Sequence, residues 1–378
     1  MSENNIVRMA IIGIGNMGMK YATMINDGKV QRTVLTAVCA RSEDSKKWVR
    51  ENLDEGVKIF SDSDELFSNG ELFDAVLITT PHKSHPKLAI QAFELGKHVF
   101  CEKPAGVSLI DAKKMEAAAE KAGKKYAMMF HQRTYPVIKK LKELLQENSI
   151  GTIDRLILEN SISYRTTYYH KSGSWRSSWT GEGGGALINQ GQHILDYWQW
   201  MFGMPESIIA DIPFGKYNDF EVDDEATLLM EYPNKKSAVF ILTTGEIQRE
   251  ERLCIIGSKG KISMYGNKIE IERNETDAIE YGQKAQINTR DNLNTTSETI
   301  ICDGPSEPYE IMLNNFSEAI LDGTDLIASG KDGSNTLEIS NAAYMSAWLN
   351  QKITFPIDVL EYDKMLQEHI DHEKGSLT

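Results

Sequence analysis

Val7-Arg8-Met9-Ala10-Ile11-Ile12-Gly13-Ile14-Gly15-Asn16-Met17-Gly18 is the stretch on which the reading of this chain turns. A β-prone run, Arg8–Ile12, enters glycines spaced as G-x-G-x-x-G, and a helical period follows at once. In that context Gly13 permits a tight turn, Gly15 lets the backbone approach a pyrophosphate, and Gly18 lets the helix pack on the strand. Amides of the first helical turn, with Asn16 and Met17, then face the phosphates. Working outward, Val34–Cys39, Ala75–Thr79, His98–Cys101 and Tyr126–Phe130 also read as strands, separated by amphipathic stretches. Such alternation implies a doubly wound parallel sheet of the Rossmann kind, built from right-handed crossovers.

The end of the second strand reads Val38-Cys39-Ala40-Arg41-Ser42. An NAD site places there an acid that binds the ribose 2′-OH, and Ala40 holds that place. Arg41 and Ser42 suit a 2′-phosphate instead, since a guanidinium forks onto phosphate oxygens and a hydroxyl adds a donor. The expected cofactor is therefore NAD(P), leaning towards NADP.

After a helix expected over Pro136–Glu147, the texture changes to Leu156–Tyr164, Glu225–Tyr232, Ala238–Thr243, Leu253–Ile256 and Lys268–Glu272, strands joined by short turns. An antiparallel sheet is the economical reading, with helices expected over Ala186–Met201, Glu310–Leu321 and Thr336–Leu349. A chain of 378 residues exceeds one hydrophobic core. The division expected is 1–131 for the dinucleotide-binding unit, 132–356 for a second α/β domain, and 357–378 for an appended polar tail.

The 41 Lys+Arg against 55 Asp+Glu give a formal charge of −14, which argues against nucleic acid and anionic lipid as partners. Cys39, Cys101, Cys254 and Cys302 form no CxxC pair, so reduced thiols are expected. The polar start and the glycines after Met9 spoil a signal-peptide core, and no apolar run reaches membrane-spanning length; a cytoplasmic protein is expected.

Thr80-Pro81-His82-Lys83-Ser84-His85 and Gly96-Lys97-His98-Val99-Phe100-Cys101-Glu102-Lys103-Pro104 resemble the two signature segments of the Gfo/Idh/MocA oxidoreductase family. Gly183-Gly184-Gly185 through Asn189, His193 and Asp196 resembles its second catalytic stretch, and Ile256–Gly260 and Asn315-Phe316 resemble structural ones. The resemblance reaches about Pro356. It implies a Rossmann domain followed by an α/β domain with a large, mostly antiparallel open sheet, pyridine-nucleotide chemistry on sugars or polyols, and a homo-oligomer, dimer or tetramer, formed through that sheet.

The expected site follows from both readings. Lys103, just past a strand's C-terminal end and held extended by Pro104, stands where open α/β sheets bind ligands. Near a cationic nicotinamide it should lose proton affinity and act on the reacting oxygen. His193 is the expected proton carrier, helped by substrate contacts from Asn189, which stands where many family members carry aspartate. Tyr164, Trp175 and Arg176, in a polar aromatic loop that also holds Tyr168 and Tyr169, suit sugar recognition, and Arg133 is expected to line the interdomain crevice. Thr80, Pro81, His85 and Glu102 are expected at the cofactor. His82 and His85 lack further ligand partners, so no metal is expected. His369 and His372 are read as lying on a solvated face of the tail.

The function expected is an NAD(P)-dependent oxidoreductase acting on a secondary hydroxyl or ketone of a sugar, sugar derivative or inositol. The alternatives are a redox-neutral glycoside-cleaving enzyme with a tightly held nucleotide, and a non-catalytic nucleotide-sensing regulator.

Overall fold

The computed structural model describes residues 5–173, 175–288, 293–304 and 307–376. Strands β1 (Val7–Ile12), β2 (Thr33–Cys39), β3 (Lys58–Phe60), β4 (Ala75–Ile78), β5 (His98–Cys101) and β6 (Tyr126–Met128) form a parallel sheet in the order β3-β2-β1-β4-β5-β6. All four residues of β4 are buried, as a strand covered on both faces requires. The short β3, with Lys58 exposed, leaves no apolar run to read in the sequence. The strand order reverses between β1 and β4, which opens a crevice at their C-terminal ends.

The second sheet contains β7 (Ile153–Asn160), β8 (Ser207–Asp211), β9 (Glu225–Glu231), β10 (Ser237–Thr243), β11 (Glu251–Gly257), β12 (Gly260–Tyr265), β13 (Lys268–Asn274), β14 (Thr295–Ile301) and β15 (Ile353–Thr354). Its order is β14-β13-β12-β11-β7-β10-β9-β8-β15. It is antiparallel except where β7 pairs with β10. After β7 the chain leaves the sheet before β8; β8, β9 and β10 then build one flank of β7, and β11 to β14 the other. One face buries Leu156, Leu158, Leu228, Phe240 and Leu253 beneath the helices Gly191–Phe202 and Gly330–Leu349.

The linear division at residue 131 does not convey one connection. The chain returns, and the helix Pro308–Leu321 packs on the first sheet, with Phe316 against Phe100 at 5.1 Å and Ser317 Oγ 2.6 Å from Thr33 Oγ1. Ser329 then bridges to Ala127 on β6 and caps the next helix by a reciprocal box with Asp332. That helix begins at Gly330, earlier than the expected Thr336. Gly330 lies so close to the Tyr126 ring that a Cβ would collide, and this tertiary approach keeps glycine in a helical turn.

Residues 357–378 are not an appended polar tail over their described part. Val359–Ser376 is a helix that buries Tyr362, Leu366 and Ile370, four residues apart, within a largely charged sequence. Glu373 accepts from Trp179 N at 2.9 Å and Thr180 N at 2.7 Å, bracing the loop ahead of the glycine segment. His369 stacks on Trp348 at 4.3 Å, which corrects its expected place on a solvated face, whereas His372 is exposed. Among the described residues no helix is long and apolar enough to cross a membrane.

Candidate active site

A cleft of about 940 Å³ runs from the ends of β1 and β2, past β4 and β5, to the segment 169–189. At one end the glycine turn is built by exclusion. A Cβ on Gly18 would strike Gly13 O, which already accepts from Thr79 Oγ1 at 2.5 Å. Gly15 has no atom within 4 Å of its Cβ direction, so the backbone there is open to the cleft. The helix Asn16–Asn26 has no side-chain cap and no acid in its first turn, which leaves its amides directed at an anion. These residues fit the pyrophosphate of a dinucleotide. Cys39, Arg41, Ser42, Asp62 and Ser63 line the same end. Ser42 also caps the helix Glu43–Asn52, accepting from Ser45 N at 3.2 Å.

At the other end stands Lys103. Its Nζ donates to Asn189 O at 3.0 Å and to Asn189 Oδ1 at 2.8 Å. Burial lowers its proton affinity, while Glu102 and Glu182 oppose that. The Glu102 carboxylate, also on the cleft lining, accepts from Tyr21 OH and from Lys103 N. Asn189 ends a short helix, Ala186–Asn189, whose entry is fixed by the buried Asp223, acceptor for Gly185 N at 2.8 Å, Leu187 N at 2.6 Å and Tyr344 OH at 2.6 Å. The expected single helix over Ala186–Met201 is thus two, broken at Gln190.

Tyr169 closes this end. Its hydroxyl accepts from Arg176 Nη1 at 2.8 Å and from the amides of Asn189 and Gln190 at 3.2 Å each. The Arg176 guanidinium lies over both Tyr169 and Trp175, and Trp175 meets the His82 ring edge-on at 5.2 Å. A flat aromatic wall with a few convergent polar groups is suited to a polyhydroxylated ligand.

Residues 7–130 match the oxidoreductase family GFO/IDH/MocA with its NAD-binding Rossmann fold, and residues 138–263 match the GFO/IDH/MocA C-terminal domain. The chain belongs to the GFO/IDH/MocA oxidoreductase family. It is similar to trans-1,2-dihydrobenzene-1,2-diol dehydrogenase of Bos taurus, 25% identical over 256 residues, 67% of this chain and 72% of that protein. It is also similar to scyllo-inositol 2-dehydrogenase (NADP(+)) IolW of Bacillus subtilis, 23% identical over 357 residues, 90% of this chain and 94% of the relative. Among solved structures, the WlbA dehydrogenase from Bordetella pertussis in complex with NADH and UDP-GlcNAcA shares the fold at TM-score 0.78 and 21% identity, with 93% and 100% of the two chains covered.

In this oxidoreductase, Lys103, Asn189, Trp175 and Arg176 meet at one end of the cleft, and the glycine loop, Arg41, Ser42, Thr80, Pro81 and Glu102 line the rest. Four expected residues, Arg133, His85, Tyr164 and His193, lie outside the cleft lining. Arg133 is 3% exposed and does not line the crevice: it forks onto Asp196 at 2.6 and 2.7 Å, reaches Asp332 at 2.8 Å and donates to Ile327 O at 2.9 Å. Four of the five N–H bonds of this buried guanidinium are taken by Asp196, Asp332 and Ile327 O, which ties it to the framework between the helices. His85 is fully buried behind the cleft wall, Nδ1 2.9 Å from Pro104 O and Nε2 2.7 Å from Thr80 O, and so joins the two signature segments rather than touching cofactor. Tyr164 is 40% exposed outside the cleft lining, and Tyr169 takes the position expected of it.

His193 is half-buried, its ring 4.5 Å from that of His131, beside Lys103 but outside the residues lining the cleft. Burial, His131 and the Lys103 charge lower its proton affinity, so it is a neutral imidazole at pH 7. Its Nδ1 is buried with no hydrogen-bond partner among the described residues. Among those residues no three His, Cys, Asp or Glu side chains gather as a metal site. Glu182, unmarked in the sequence reading, lies 2% exposed behind Asn189; an acid directly before three glycines was the available signal.

Proposed function

We propose that this enzyme transfers a hydride between nicotinamide and a secondary hydroxyl or ketone of a sugar, sugar derivative or inositol. The observation that carries the reading is the Lys103 ammonium, held by two acceptors on Asn189 at the aromatic end of a cleft whose other end fits a pyrophosphate. Two of its N–H bonds are engaged, and the third is left for the reacting oxygen. When bound, the nicotinamide supplies or accepts the hydride at its ring carbon. In the reducing direction Lys103 gives its proton to the oxygen of the ketone as that oxygen becomes a hydroxyl; in oxidation the neutral amine takes the proton back. His193 is assigned as the base that exchanges this proton with solvent or a neighbouring hydroxyl. Tyr169, Trp175 and Arg176 orient the polyol. The relatives named above, acting on a diol and an inositol, support this substrate class.

The reading includes a preference for NADP. Arg41 lines the adenosine end with no ion-pair partner among the described residues, and no acid stands at Ala40. A panel of inositols, free sugars and nucleotide-sugars, assayed with NAD and with NADP through nicotinamide absorbance, tests both statements. Stoichiometric absorbance change with one polyol class, larger kcat/KM with NADP and loss of that advantage in Arg41→Ala are expected. Glycoside cleavage without absorbance change would overturn the net reaction, and a clear advantage for NAD would overturn the preference.

The outer face of the second sheet supports a homo-oligomer. Ile209, Leu229, Val239, Ile157 and Cys254 stand in register across five strands, with Ile209 43% and Leu229 51% exposed. An apolar row of this kind is covered by a second copy in our reading. Light scattering should give a dimer or tetramer, and Leu229→Glu should give a monomer that melts cooperatively; a wild-type monomer at micromolar concentration would overturn it.

A further inference from the structure

The amide of Asn189 lies between two charges. Its Oδ1 accepts from Lys103 Nζ at 2.8 Å, and its Nδ2 donates to Glu182 Oε1 at 2.5 Å. A lysine ammonium can only donate and a carboxylate only accepts, so the amide's orientation is fixed by its neighbours. The second carboxylate oxygen, Oε2, accepts from Ser177 N at 2.7 Å. Both oxygens therefore face N–H donors, the arrangement that favours the ionised carboxylate, although burial opposes it. Glu182 is 2% exposed, and burying its negative charge is costly unless it is paired and hydrogen-bonded, as these two donors provide.

We infer that Glu182 is the positioning residue of this site: through the Asn189 side chain it aims the Lys103 ammonium at the reacting oxygen and supplies its counter-charge. The inference rests on the assignment of Lys103 proposed above. An amide cannot pass a proton at neutral pH, so nothing travels along the chain; it transmits orientation and polarisation. Glu182 is placed for this as Glu102 is not, because the Glu102 oxygens are held by Tyr21 and the Lys103 backbone amide. The other charges acting on Lys103 are Arg176 and Arg165, both of which disfavour its ammonium form. The imidazoles of His82, His131 and His193 are driven neutral by burial. Glu102 and Glu182 both favour the ammonium against those guanidiniums, and Glu182 is the one tied to the Asn189 side chain that holds it, so without Glu182 the ammonium would be held less tightly.

The test reads Lys103 itself. Full-length protein with NADP is pulse-labelled with acetic anhydride across a pH series, and the Lys103 peptide is quantified by mass spectrometry. In Glu182→Gln the labelling midpoint should fall by about one pH unit. The double variant Asn189→Asp/Glu182→Gln, which returns one carboxylate beside the ammonium, should recover the wild-type midpoint. With the polyol found by the screen, Glu182→Gln should lower kcat by at least ~10-fold at nearly constant KM and move the corresponding limb of the pH–rate profile with the midpoint. A merely structural Glu182 would alter melting without moving either midpoint. If Glu182→Gln does not melt cooperatively, Asn189→Leu, which severs the link, is read in the same way. An unchanged midpoint in a folded variant overturns the inference. Full turnover in Lys103→Ala would instead overturn the parent assignment, and the labelling distinguishes the two failures.

Discussion

Lys103→Ala is expected to lower kcat by about 10²- to 10⁴-fold while leaving the dissociation constant of the dinucleotide within about threefold. The asymmetry follows from the layout of the cleft. The pyrophosphate end is made of backbone amides and glycine clearance around Gly13–Gly18, remote from the Lys103 side chain, whose two bonds are both to Asn189. Removing the ammonium deletes the donor that meets charge developing on the substrate oxygen, an interaction made chiefly in the transition state. His193→Ala should cost less, because its ring lies beside His131 outside the cleft lining and acts on the proton after Lys103. Stopped-flow absorbance with the identified polyol and fluorescence titration of the reduced nucleotide check the two halves. Wild-type hydride transfer in both variants would remove the proposed chemistry.

Arg133→Ala should have the largest effect on stability, about 3–5 kcal/mol by urea denaturation. Asp196, on the helix Gly191–Phe202, is fully buried, and Asp332, at the start of the helix Gly330–Leu349, is only partly exposed; Arg133 joins both to the segment that follows β6. Deleting the guanidinium strands one fully buried carboxylate and loosens a second. Arg133→Lys keeps the charge but not the fork, so it should fall between the two. The pH dependence has a definite sign. Burial pushes the Asp196 carboxyl up and Arg133 pulls it back. In Arg133→Ala the pull is gone, and a carboxyl raised above its unfolded value binds its proton more tightly when folded. The variant's deficit should therefore shrink as pH falls from 7 towards 5. A deficit that grows over this range would show that Asp196 is not the stranded charge.

Much of the fold was legible because it depends on local patterns. The glycine spacing, the strand–helix alternation to Phe130 and the β-rich texture after Gly151 each reflect periodicity or steric demand along the chain. The place of Lys103 was legible for the same reason, since a parallel strand ends at Cys101, two residues before it. Arg133 was not. A lone arginine after a strand looks the same whether it faces a crevice or a pair of acids, and its partners lie 63 and 199 positions away. His85 was misjudged because two histidines in one signature segment look equivalent, whereas the fold directs one ring to the cleft wall and buries the other between carbonyls. The terminal helix was hidden because a few apolar residues, Tyr362, Leu366 and Ile370 the most buried, anchor it among charges, and their value depends on the surface that Trp348 and its neighbours offer.

By itself, then, the sequence determined that a parallel dinucleotide-binding sheet would come first, that glycine would shape its anion turn and that a lysine would stand at the strand edge, because these are properties of residues close together in the chain. Only the tertiary structure decided which tyrosine meets Asn189 and Arg176, that Arg133 and Asp196 pair within the framework, and that Glu182 stands behind Asn189. Burial and pairing of charge are set by groups the chain brings together from far apart, and a buried charge acquires its role only from the partner it meets.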